Sequence, residues 1–152
     1  MYYGGGLMEY MKEAIKQANK AAAIGEVPIG AVIVQNGRII ARGYNKRETK
    51  KNALLHAEVV AIDRACRGLG GWRLPECEMY VTLEPCPMCM GAIISARIDK
   101  LYFGAYDAKS GAAVSVCDLS EALPHKVETV GGVMQEECAE LLKSFFRTLR
   151  KK

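Results

Sequence analysis

The stretch from Met79 to Gly104 limits what this chain can fold into more than any other. Met79-Tyr-Val-Thr-Leu83 is a short β-branched run, Pro87 to Ala96 is an apolar helix led by proline, and Lys100-Leu-Tyr-Phe-Gly104 is a second extended run. A strand, helix and strand in one continuous pass favour a parallel crossover, because the helix carries the chain back to the end where the first strand began.

The flanking segments extend the same architecture. From Leu7 to Ile24 the apolar residues Leu7, Met11, Ala14, Ile15, Ala18, Ala21 and Ala22 recur at intervals of three and four, and Gly25 follows as a stop, so an amphipathic helix is expected. Ile29 to Val34 and Arg38 to Ala41 flank Asn36-Gly37, a pair that supplies the positive φ angles of a tight hairpin turn. His56 to Cys66 is alanine-rich and apolar at helical spacing, with Gly68, Gly70 and Gly71 as its break. A weak strand at Val127 to Val130 precedes a last helix from Gln135 to Leu149. The order predicts an α/β fold, with one mixed sheet covered by helices on both faces.

The 152 residues, half of them hydrophobic, suit a single domain over 1–152 with a sizeable core. Residues 1–6 are expected to be a flexible tail. They carry no long apolar run and no basic start, so the expectation is a cytoplasmic protein with no membrane span. Six cysteines in a chain of ordinary core composition read as reduced thiols rather than a disulfide framework. Cys66, Cys77, Cys117 and Cys138 are scattered among apolar neighbours and read as plain core or surface residues. Cys86 and Cys89 stand apart as a Cys-x-x-Cys pair.

The net charge of +4 is compatible with an anionic partner but does not establish one. The basic residues fall in two groups. Lys46, Arg47, Lys50 and Lys51 form one, and Lys143, Arg147, Arg150, Lys151 and Lys152 form the other, interleaved with Phe145 and Phe146. Either group also fits an ordinary solvated surface.

Two junctions carry the chemistry. His56-Ala57-Glu58 opens one helix, and Pro85-Cys86-Pro87-Met88-Cys89 lies where a strand runs into another. Proline fits the first helical position, which makes Cys86 the cap and puts Cys89 one turn along on the same face. The N–H groups and dipole of a helix start favour thiolate there. With one imidazole, two thiolates make three ligands suited to zinc, at ~2.0 Å from nitrogen and ~2.3 Å from sulfur, with the fourth position open to water. Zinc brings the pKa of that water down to about 7, and Glu58, beside the ligands but not among them, is placed to shuttle its proton. Taken alone, Cys86 and Cys89 also fit a redox pair, and His56 a satisfied helix-terminal histidine. Together the residues match His-x-Glu followed by Pro-Cys-x-x-Cys, the known signature of zinc nucleobase deaminases.

Beyond that signature the chain resembles the bacterial tRNA-specific adenosine deaminases of the cytidine deaminase-like superfamily. The matching stretches are Gly25-Glu-Val-Pro-Ile-Gly-Ala31, Gly43-Tyr-Asn45, His56-Ala-Glu58, Tyr80 to Cys89, Gly104 to Ala113, and Glu137 to Arg147. The resemblance implies a three-layer α/β/α sandwich around a mixed five-stranded sheet. It also implies one zinc ion per chain, a homodimer, and hydrolytic conversion of adenosine to inosine at the wobble position of a tRNA anticodon.

On the same ground, Asn45 is expected to hydrogen-bond the flipped nucleoside while Val27 and Pro28 pack against its ring. Asp107, Ala108 and Lys109 are expected to meet the sugar-phosphate, and Phe145, Phe146 and Arg147 to lie towards the anticodon stem. Lys109, Lys126 and Arg147 would supply phosphate contacts, and Met88 to Ile94 is either the dimer contact or a buried helix. An anticodon loop suits such an enzyme because its bases are easily splayed into a pocket.

Two departures stand out. Leu54-Leu55 precedes His56 where the family has a smaller pair, and the segment from Asp118 to His125 is short, with Pro124 before the histidine. They keep open a small-molecule deaminase acting on guanine, cytosine or a related base. An RNA-binding protein with structural zinc is the alternative from another class. His125 is expected in a loop or beside the substrate rather than on the metal.

Overall fold

The computed structural model describes residues 4–151. Its elements run α1 (Gly4–Ala23), β1 (Gly30–Gln35), β2 (Arg38–Tyr44), α2 (Ala57–Leu69), β3 (Cys77–Leu83), α3 (Pro87–Ser95), β4 (Lys100–Ala105), a short 3₁₀ turn (Leu119–Ala122), β5 (Glu128–Val130) and α4 (Gln135–Arg150). The five strands form one sheet in the order β2-β1-β3-β4-β5. β1 pairs antiparallel with β2 and with β3, while β4 runs parallel to β3 and β5 parallel to β4. The sheet is therefore mixed and five-stranded, as expected, and α3 makes the parallel crossover that the sequence requires.

Alternation along the strands divides the core in two, because successive side chains point to opposite faces. Ala31 and Ile33 of β1, Met79 and Val81 of β3, and Leu101 and Phe103 of β4 pack with Ala57, Ala61, Met90 and Ile93 from α2 and α3. Val32, Val34, Tyr80 and Tyr102 pack on the other face with Met11 and Ala14 of α1 and Cys138 of α4. Two glycines bring helices close to the sheet. A Cβ on Gly30 would overlap the Ala14 carbonyl of α1, and one on Gly43 would stand 2.6 Å from the Ala57 carbonyl of α2.

Several boundaries differ from the sequence reading. α1 begins at Gly4, three residues before Leu7, so Gly4 to Gly6 are helical; the rest of the expected tail, residues 1–3, lies outside the described residues. β2 continues to Tyr44 because it keeps pairing with Gly30 of β1. α2 runs past Gly68 and stops at Gly70, whose φ of 77° places it in the left-handed conformation that ends helices. The hairpin turn is as expected, with Asn36 at φ 50° and Gly37 at φ 78°.

Candidate active site

Four strand ends converge at one edge of the sheet. β3 and β4 end there, β2 ends there, and β1 begins there because it runs antiparallel to both its neighbours. The Gly30 N–H donates to Thr82 Oγ1 at 3.2 Å and the Asn45 N–H to the Ile29 carbonyl at 3.1 Å, which ties these strand ends together. Both motif helices start at this edge, so their unpaired N–H groups face the same space.

His56 is the N-cap of α2, with φ −73° and ψ 155°, and its carbonyl accepts the first helical bond from the Val60 N–H at 3.0 Å. Cys86 is the N-cap of α3, with Pro87 next, and accepts on its carbonyl from the Met90 N–H at 2.9 Å. Neither cap side chain is spent on its helix. Instead the His56 Nδ1 lies 3.8 Å from Cys86 Sγ and 3.5 Å from Cys89 Sγ. His56, Cys86 and Cys89 form the group among the described residues that can hold a metal ion, with ligand atoms all within 4.8 Å of one another.

The electrostatics fit a cation in that group. Hydrogen bonding from Cys89, with help from His56, pulls the Cys86 thiol down to about 4, while the same Cys86 bond and burial push Cys89 up. Cys86 in turn raises His56. The arrangement already stores negative charge on one sulfur. Glu58 follows His56 by two residues, is 4% exposed, and is pushed by burial up to about 7. A carboxyl with that pKa both accepts and gives a proton near neutral pH.

Around this centre, Asn45 is buried and Pro28 with it, and Val27 is half-buried. The Asn45 Nδ2 donates to the Val27 carbonyl at a long 3.5 Å, and its Oδ1 accepts from the Arg47 N–H at 3.4 Å. These three expected pocket residues are thus brought together. Asp107 and Lys109 lie just past the end of β4, on the same edge. Phe145 joins Pro28 in lining a groove of about 300 Å³ between the end of α1 and α4, while Phe146 packs edge-on against Phe145 and remains 42% exposed. Arg147 is exposed and pairs with Glu140 at 2.6 Å.

Two of the expected positions do not reach the site. His125 is in a bend, as anticipated, but its Nε2 is 2.8 Å from the Ile98 carbonyl, ahead of β4 and so at the opposite edge of the sheet. The connection from β4 to β5 has to return to that edge because the two strands are parallel. Lys126 is committed too: its Nζ donates to the Ser120 and Glu121 carbonyls at 2.9 and 2.8 Å, closing the end of the 3₁₀ turn. It holds this loop.

The sequence reading missed two buried carboxylates. Glu26, 1% exposed, accepts from the Glu48 N–H at 3.2 Å and from the Thr49 N–H, holding the basic loop that follows Asn45. Glu84, 2% exposed, accepts from the backbone of residues 107 and 113–115. Burial works to raise the pKa of each, and their hydrogen bonds outweigh it, so both lie below the ordinary carboxylate value. Both stood inside stretches that matched a family, but nothing in the residue pattern assigned them a task.

The chain matches the MafB19-like deaminase family over residues 7–150. It belongs to that family. Among its relatives, a tRNA-specific adenosine deaminase of Bacillus subtilis (strain 168) is 54% identical over 145 residues, covering 94% of this chain and 90% of that one. A solved structure from work on A-to-I editing by tRNA:A34 deaminases at the wobble position of transfer RNA superposes with a TM-score of 0.84 at 43% identity, covering 88% of this chain and 99% of the other. A guanine deaminase structure from Bacillus subtilis gives a TM-score of 0.64 at 38% identity, over 78% of this chain and 69% of its own. The three-layer sandwich is thus the cytidine deaminase-like fold. In this deaminase His56, Cys86, Cys89 and the buried Glu58 lie together at one edge of the sheet.

Proposed function

We propose that this enzyme converts adenosine to inosine at the wobble position of tRNA anticodons, with zinc held by His56, Cys86 and Cys89. The observation that carries the reading is a buried Glu58 beside a three-ligand group, in a chain 54% identical to a tRNA-specific adenosine deaminase. A tetrahedral ion with zinc's usual bond lengths separates an imidazole nitrogen from a thiolate by about 3.6 Å. The His56 to cysteine distances of 3.5 and 3.8 Å accommodate it.

Bound there, zinc supplies a water of pKa about 7. Glu58 takes a proton from the water as its oxygen bonds to C6 and delivers it to ring nitrogen N1 of adenine; it then takes the proton of the new C6 hydroxyl and passes it to the amine, which leaves as ammonia when the C6–N bond breaks. Asn45, whose amide has only long internal partners, binds the nucleoside, and Val27 and Pro28 pack on its ring. Lys109, Phe146 and Arg147 meet the RNA outside the pocket, where phosphate contacts position the substrate without reading its sequence.

The enzyme is also proposed to act in the cytoplasm as a homodimer formed through α3; no described helix is long and apolar enough to cross a membrane. The likeness to a guanine deaminase, together with an exposed Leu54 ahead of His56, supports a free-base deaminase as the second reading.

An anticodon stem-loop bearing a wobble adenosine separates the two. Incubation followed by nuclease digestion and mass spectrometry is expected to show inosine. Deamination of free guanine, cytosine or nucleosides with no inosine in the stem-loop overturns the tRNA reading.

A further inference from the structure

The loop after β4 is held from beneath by Glu84 as well as by contacts of its own. Glu84 lies at the end of β3, and its backbone N–H donates to the Ala105 carbonyl at 2.9 Å. One carboxylate oxygen, Oε1, accepts from the Asp107 N–H at 3.0 Å and from the Ser115 hydroxyl. The other, Oε2, accepts from the N–H groups of Ala113, Val114 and Ser115 at 3.3, 2.7 and 2.8 Å. Gly111 passes so close that a Cβ on it would overlap the carboxylate.

Order is then handed outward from Asp107. Its Oδ1 accepts from the Lys109 and Ser110 N–H groups at 3.0 and 3.2 Å, and its Oδ2 from the Ser110 hydroxyl at 3.0 Å. Both oxygens of Asp107 are thereby engaged inside the loop. Ala108, Lys109 and Ser110 at the tip of this turn are exposed, and Lys109, its one cation, makes no ion pair among the described residues.

We propose that Glu84 is a positioning residue for RNA binding: by gripping the Asp107 N–H it presets the turn that presents Lys109 to the sugar-phosphate of the substrate. The proposal rests on the reading of the enzyme as a tRNA deaminase. A turn fixed before binding spares the complex the entropy of ordering it.

The chemistry of the donors makes one substitution selective. In Glu84→Gln the amide NH₂ cannot face three backbone N–H groups, so the remaining carbonyl oxygen stays on Ala113, Val114 and Ser115. The NH₂ then faces the Asp107 N–H and the Ser115 hydroxyl. The hydroxyl can turn and accept, but the Asp107 N–H cannot. Only the grip on Asp107 is lost.

Zinc-loaded Glu84→Gln is expected to keep its metal and its kcat on the stem-loop while KM rises about tenfold, the scale of one hydrogen bond to a charged group. Lys109→Ala is expected to raise KM in the parent enzyme and to add little in the Glu84→Gln background. An unchanged KM, additive effects of the two substitutions, or a loss confined to kcat or metal content overturns the proposal. A parent enzyme that makes no inosine overturns the functional reading instead.

Hydrogen exchange on the unaltered protein decides the matter should Glu84→Gln not fold. The Asp107 amide is expected to be protected equally in the free enzyme and in the stem-loop complex. Protection that appears only on binding overturns the proposal.

Discussion

Glu58 shows how one residue's surroundings set its task. It is held on the first turn of α2, 4% exposed, and burial lifts it to about 7, yet the ligand group beside it is complete without it. Replacing its carboxyl by an amide removes proton transfer and leaves three ligands. Glu58→Gln is therefore expected to bind one metal ion per chain and to lose about 10²- to 10⁴-fold in turnover, the range for a positioned general acid or base. Metal analysis and single-turnover deamination on the same preparation check both halves, and retained turnover removes Glu58 from the mechanism. Its place beside the ligand group was legible in the sequence because the motif is local: residue types at fixed short spacing, each at a helix start. Glu26 and Glu84 were not legible. Their partners are backbone N–H groups 22 to 31 residues away, and a backbone donor has no side chain to announce it. The hold of two carbonyls on Lys126 was not legible either, since they leave no mark in composition.

At the scale of elements, periodicity located every helix and strand, and errors fell at ends, where tertiary pairing decides. β2 outruns its apolar run because β1 continues to offer partners, and α2 absorbs Gly68 because nothing there forces a left-handed angle. The position of His125 followed from topology instead: a parallel β4–β5 pair sends the connecting loop back to the edge away from the site. α3 was left open between a buried helix and a dimer contact, and the single chain covers only one side of it. Cys89, Met90, Ile93 and Ile94 are buried, whereas Met88, Gly91 and Ala92 on its other side are only partly covered. A helix that is apolar all round needs cover all round. A Cβ on Gly91 meets nothing within 4 Å, so a large side chain fits the single chain without strain. Gly91→Arg is expected to convert the proposed dimer to a folded monomer in sedimentation experiments. A dimer that survives the substitution, or an unaltered protein that sediments as a monomer, places the contact elsewhere or removes it.

Across the whole molecule, Glu26 and Glu84 make the fold depend on ionised carboxylates that form no salt bridge among the described residues. Each has a folded pKa below the ordinary 4.5, because burial, which opposes ionisation, is outweighed by hydrogen bonds from Thr49 and Glu48 in one case and from Ser115, Asp107 and Val114 in the other. A lowered folded pKa means that the unfolded chain binds the proton more readily. The stabilisation is therefore fully present above the unfolded value and drains away as pH falls through the folded one, so both clasps fail on the acid side of 4.5. Glu58 acts with the opposite sign in the metal-free protein. Its folded pKa of about 7 means that ionisation costs stability as pH rises from 4.5 towards 7. Glu26 is the better probe of the acid limb, since it is remote in sequence from the ligands and its loss leaves the metal group intact. Glu26→Gln is expected to be less stable than the parent at pH 7, because its NH₂ meets a loop N–H with no acceptor between them. It is also expected to show a shallower decline below pH 4.5, by up to one proton or about 1.4 kcal/mol per pH unit. Urea unfolding midpoints between pH 7 and pH 3 compare the two slopes. Parallel acid limbs mean that the Glu26 carboxyl is protonated at the same pH in folded and unfolded chains, and the clasp then contributes nothing to acid lability.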